Sequence, residues 1–108
     1  MYRVTTPTHI FTLPIQTSSC KEILVSYRSK DVQIDRHYEN NTIPSGMTLN
    51  GKDVVVRLTQ EETKMFKPNN PANVQVRVLT VGNDAYASQV FKVWVNNVLN
   101  EEILSDGD

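Results

Sequence analysis

Side chains able to do chemistry are few in this sequence, and spacing does not bring them together. The two histidines, His9 and His37, fall in separate alternating stretches. A zinc site needs His, Cys or carboxylate donors at characteristic spacings. Neither histidine is read as having such a donor beside it. The single thiol, Cys20, follows the polar run "QTSS". With Ser18 and Ser19 it would need a histidine brought in from elsewhere in the fold to act as a nucleophile. Glu61 and Glu62 are adjacent and so point apart, whereas a catalytic carboxylate pair must flank one bond. Asp31, Asp35, Asp53 and Asp84 stand singly, unlike a calcium loop. The four glycines, Gly46, Gly51, Gly82 and Gly107, make no phosphate-cradling loop. Asn40-Asn41-Thr42 is a glycosylation sequon, with meaning only in a secreted eukaryotic protein. The expectation is a non-enzymatic protein with no catalytic residue, no metal ligand and no cofactor.

Two kinds of binding surface remain. Tyr27, Tyr38, Tyr86 and Trp94 could form an aromatic platform for a glycan or cell-surface polymer, although their spread over several strands favours packing. Arg36 and Arg77 interrupt apolar strands. They belong either to a solvated sheet face or to a docking surface, and the solvated face is the expectation. The formal net charge is −1, and residues 1–100 carry +3 (11 basic against 8 acidic), without clustering. That pattern offers no footprint for nucleic acid. One cysteine permits no internal disulfide and is compatible with a reducing compartment. No apolar run approaches the roughly 20 residues of a membrane helix. No secretory leader is read in "MYRVTTPTHIF". The chain is expected to stay in the cytoplasm where it is made, or to be carried elsewhere inside an assembly.

The elements that would position these residues are strands. Fourteen Val and six Ile stand against three Ala, with ten Thr besides. β-Branched side chains are stiff at χ1 and fit a pleated sheet better than a helix. "MYRVTTPT" reads as an extended lead-in or edge, held by Pro7, and "HIFTLP" as a first strand. In "KEILVSYRS", Ile23, Val25 and Tyr27 share one face. In "DVQIDRHYE", Val32, Ile34, Arg36 and Tyr38 share one, with a short hairpin at Ser29–Asp31 between the two strands. "TLNGKDVVV" reads as a second hairpin turning at Asn50–Gly51, with Val54, Val56 and Leu58 facing one way. "NVQVRVLTV" places Val74, Val76 and Val78 together. After a turn at Gly82–Asp84, "YASQVFKVWV" reads as one long last strand.

"RLTQEETKM" breaks the alternation. Thr59 and Glu62 form the S/T-x-x-E capping box, in which each side chain meets the other residue's backbone amide. Glu61 and Glu62 lie in the first turn and Lys64 near the last, as the helix dipole favours. Pro68 stops the element. A helix near residues 60–66 is too short to stand alone. It is expected to cap one end of a sandwich where the chain crosses between sheets, with Met65 and Phe66 as its inward anchors. The fold class expected is an all-β, immunoglobulin-like antiparallel sandwich of about seven strands. Residues 1–100 would form the single domain and 101–108 a solvated acidic tail.

The stretches "YRVTTPTHIFTLP" (2–14), "KEILVSY" (21–27), "LTQEETKMF" (58–66), "VQVRVLT" (74–80), "SQVFKVWV" (88–95) and "VLNEEIL" (98–104) follow in an order that resembles a group of small proteins. These are encoded among the virion genes of phages and prophages of Gram-positive gut bacteria. More distantly, the chain is similar to the immunoglobulin-like N-terminal domain of the phage baseplate upper protein. The resemblance spans nearly the whole chain through strand and cap patterns. It departs where family members often carry a short hairpin and this chain has "HYENNTIPSGMTLNG". It implies a structural or accessory protein of a tail or baseplate, with no catalytic residues. The implied partner is a protein, either a tail or baseplate subunit or a second copy, met through an edge strand. The alternative is the glycan or polymer binding module.

Overall fold

Alternating β-branched residues build two antiparallel sheets in a computed structural model, which describes residues 1–105. The strands are β1 (Thr8–Thr12), β2 (Cys20–Ser29), β3 (Val32–Tyr38), β4 (Met47–Asn50), β5 (Asp53–Arg57), β6 (Asn70–Thr80), β7 (Ala85–Ala87) and β8 (Phe91–Val95). Among the described residues, a single 3₁₀ turn, Thr17–Ser19, and one helix, α1 (Gln60–Met65), complete the set. The small sheet runs β1-β5-β4. The large one runs β3-β2-β6, with β7 and β8 both pairing along the far side of β6. Inward residues of the two sheets form one core: Val54, Val56 and Met47 from the small sheet meet Ile23, Val25, Tyr27, Ile34, Val74, Val76 and Val95 from the large one. The fold is the all-β sandwich expected, and the residues that period-2 reading grouped on one face of β2, of β3, of β5 and of β6 are those that turn inward.

Both predicted hairpins form. β2 and β3 pair from Ile23↔Tyr38 to Ser29↔Val32 around Lys30, which takes a positive φ of 50°. β4 and β5 pair through Asn50↔Asp53. The turn there is Gly51–Lys52, and only Gly51 of the expected Asn50–Gly51 pair has positive φ. Asn50 is still strand.

The long last strand of the sequence reading is two strands. β7 pairs with β6 in the register Arg77↔Ala87, and β8 in the register Val74↔Phe91. The registers differ by one residue, so Ser88, Gln89 and Val90 hold a bulge. Ser88 explains it. Its N–H donates to the Val76 carbonyl, but the Val76 N–H donates to the Ser88 hydroxyl rather than to its carbonyl. That carbonyl accepts instead from the Gln75 side chain. A bulge of this kind re-aims the residues on one side of it.

The helix sits where the chain leaves the small sheet at β5 and enters the large sheet at β6. The capping box is complete: Glu62 N–H to Thr59 Oγ1 at 3.1 Å and Thr59 N–H to Glu62 Oε1 at 2.9 Å. Phe66 is fully buried as expected. Met65 is not: it is 57% exposed, and Thr63 takes the inward place. The Thr63 hydroxyl donates to the Thr5 carbonyl and accepts from the Thr5 amide, so a polar side chain replaces the expected apolar anchor without an unmet bond. The lead-in Met1–Pro7 is outside the sheets, apart from a single parallel bridge, Tyr2↔Asn96. Arg3 donates to the carbonyls of Lys64 and Phe66 at the helix end and pairs with Glu101. Gln60 exchanges two hydrogen bonds with the Leu104 backbone, which lays residues 101–105 against α1.

Candidate functional site

The two edges of the large sheet differ in what lies between them and the small sheet. At the β3 edge the space is filled by Arg36. It lies on the inward face with Ile34 and is buried, so the solvated-face reading of Arg36 does not hold. Its two terminal nitrogens meet Glu62 at 2.7 and 2.5 Å, and one of them also meets the Arg57 carbonyl at 3.0 Å. One carboxylate therefore caps α1 and binds β3 at once. The hydrogen bond to Arg36 is the largest cause of a Glu62 carboxyl held below its ordinary value, and the same bond raises Arg36.

At the opposite edge no charged group crosses. A groove of about 610 Å³ opens between β1 and the β7–β8 edge. Its walls include Ile10, Phe11, Leu13, Val76, Tyr86 and Phe91, and none of its lining residues is charged. Phe11 and Phe91 face each other across it, with ring centroids 6.5 Å apart. The bulge makes this lining possible. Tyr86 and Phe91 are five residues apart and would sit on opposite faces of a regular strand. The extra residue brings both to the inward side. Ile10, Tyr86 and Phe91 remain 63, 59 and 47% exposed. β1 pairs only with β5, so its other edge borders the groove with no strand on it among the described residues.

His9, on the inner face of β1, accounts for one buried polar group. Its Nδ1 lies 2.6 Å from the hydroxyl of Tyr27, a fully buried side chain. Burial pushes the Tyr27 phenol far above its usual value, so the phenol keeps its proton in its hydrogen bond with Nδ1. Burial, then the N-terminal ammonium, lowers His9. Cys20 is buried, its thiol is raised by that burial, and its sulfur faces the Gln16 carbonyl at 3.8 Å. Among the described residues no hydrogen bond joins Cys20, Ser18 or Ser19 to either histidine. Ser19 lines the groove.

The expectation that neither histidine has a donor beside it fails for His37. Its Nε2 is 2.8 Å from Glu22 Oε1 and 3.8 Å from Glu39 Oε2. The signal was present: Glu39 lies two residues from His37, on the same face of an alternating strand. The four aromatics are scattered. Tyr27 is in the core, Tyr86 lines the groove, and Trp94 is 52% exposed on the outward side of β8, beside Lys92 rather than beside Tyr86. Asp53 accepts from Thr12 across the β1–β5 pair, and Asp35 accepts from Gln33. Arg77 lies on the outer face of the large sheet, paired in register with Leu24.

No helix of the described residues is long and apolar enough to cross a membrane. A search of known protein families and of curated proteins finds no match to this chain.

Proposed function

We propose that this protein is a non-enzymatic structural or accessory module of a phage or prophage particle, associated with the tail or baseplate. It holds an extended apolar segment of a partner subunit in the groove between β1 and β7–β8. The observation that carries this reading is the uncharged groove running along an unpaired strand edge. An edge strand offers backbone N–H and C=O groups to an incoming chain, and neighbouring apolar pockets select its alternate side chains. The groove has no charge with which to bind a phosphate or orient an anionic substrate. The sequence resemblance supports the particle context, and with it the immunoglobulin-like description of the sandwich.

The test is co-expression with the tail or baseplate proteins encoded by neighbouring genes, followed by size-exclusion chromatography. Co-elution that is lost in Phe91→Asp, with melting temperature retained, supports the reading. Absence of a complex with each of those proteins, or a complex indifferent to Phe91→Asp, overturns it. Titration of Trp94 fluorescence with wall polysaccharide separates the alternative: a saturable change favours a glycan-binding module over capture of a protein segment.

A further inference from the structure

We propose that Glu22, His37 and Glu39 form a binding site for a divalent transition-metal ion, of which Zn²⁺ is the probe, on the outer face of the large sheet. The argument is independent of the groove. Three elements of geometry carry it.

First, the donor atoms of the three side chains all lie within 4.8 Å of one another. A tetrahedral ion with bonds of about 2.0–2.2 Å holds its donors about 3.3–3.6 Å apart. The two distances from His37 Nε2, 2.8 and 3.8 Å, bracket that spacing. Small rotamer adjustments would equalise them.

Second, two like charges stand together just beyond the end of the β2–β3 ladder. Ile23 pairs with Tyr38, and the next positions outward are Glu22 and Glu39. Neighbouring carboxylates repel, and a positive charge between them relieves the repulsion. A divalent ion neutralises both. Arg77, which lines the same concavity as Glu22 and His37, makes no ion pair among the described residues.

Third, the backbone beneath is fixed. Glu22 pairs with Leu79 in the β2–β6 ladder, and His37 pairs with Leu24 in the β2–β3 ladder. His37 and Glu39 share a face of one chain segment by period 2.

One imidazole and two carboxylates suit zinc and its first-row neighbours, with no thiolate to select a softer ion. Three protein donors leave a fourth position for water or for a donor from a second molecule, so the site is an open one.

The test uses the full chain. Zn²⁺ is titrated by competition with a chromogenic chelator, and histidine ring signals are followed by NMR. The expected result is one saturable site, with the His37 ring signals shifted and those of His9 unmoved. His37→Ala and Glu22→Gln should each weaken binding by roughly tenfold or more, while Asp35→Asn, an exposed carboxylate on the same face, leaves it unchanged. None of the three substituted residues is buried, and melting curves verify that each variant is folded. Failure to saturate, an unmoved His37 ring, or full affinity in His37→Ala overturns the proposal.

Discussion

The two edges of the large sheet solve the same problem differently. Each must meet the small sheet across a gap that the core does not fill. At the β3 edge, Arg36 spans the gap and is bound by Glu62 and the Arg57 carbonyl. Gly46 lies so close that a Cβ there would stand 2.7 Å from the Arg57 carbonyl oxygen and 2.8 Å from Arg36 Nε. At the β7–β8 edge a bulge turns aromatic side chains inward, but no polar tie joins the β7–β8 edge to β1 across the groove among the described residues. The first edge is closed by directional bonds and the second is left open with apolar walls. Apart from the His9–Tyr27 bond, the polar ties between the sheets described above gather at the β3 edge, and the apolar edge opposite is left accessible.

The largest effects are expected at the closed edge. Arg36→Ala leaves Glu62 half-buried without its partner and opens a void beside Gly46. Removing one member of a buried pair costs about 3–5 kcal/mol, and the partial exposure of this one places the loss at about 2–4 kcal/mol. Chemical denaturation checks it, and a loss below half a kcal/mol would show that the ion pair does not close the edge. Gly46→Ala meets backbone as well as a side chain, at a φ of +79° that a Cβ disfavours. A loss of about 1–3 kcal/mol is expected. Gly82→Ala, where the nearest atoms stand at 3.8 and 3.9 Å, provides the neutral control.

Much of the closed edge was legible in the sequence because its signals are local. The Thr59–Glu62 cap is a four-residue pattern, and the parity of Val32, Ile34, Arg36 and Tyr38 put Arg36 on the same face as Ile34, although Arg36 was expected on a solvated face. What could not be read was its partner. Glu62 is 26 residues away, and without it an inward arginine looks like a solvated one. Met65 was misplaced because six helical residues give no periodicity to average, and Thr63 satisfies its hydroxyl with a segment 58 residues away. The open edge was less legible. The bulge depends on the Ser88 hydroxyl replacing a carbonyl in the ladder, which alternation alone does not reveal. The five-residue spacing of Tyr86 and Phe91 was the available hint. The groove itself follows from how two sheets are juxtaposed, which no local pattern encodes.

Acidification should separate the two edges. His9, on the open side, is lowered in the folded state below its ordinary 6.5. The unfolded chain therefore binds the proton more readily, and stability that is full above 6.5 falls as pH drops below it. Glu62, on the closed side, is lowered from 4.5. Its contribution is full above that value and is lost as pH falls through its lower folded value. Stability measured against pH should decline in two stages. His9→Asn flattens the first and Glu62→Gln the second. A single stage, unchanged by His9→Asn, would show that the Tyr27–His9 bond does not sense pH. Thr59→Ala, which removes one half of the cap, is expected to cost about 1 kcal/mol at neutral pH.

The smallest effect on stability is expected at the groove, where the consequence for binding is greatest. Phe91 is half exposed, so Phe91→Ser forfeits only part of an aromatic side chain's burial, about 1 kcal/mol or less. In the proposed function, partner capture depends on the same ring, which forms the wall opposite Phe11. The variant should melt close to wild type and fail to co-elute with its partner. The reverse outcome, a badly destabilised protein that still binds, would mean that the open edge is structural after all and that the partner docks elsewhere.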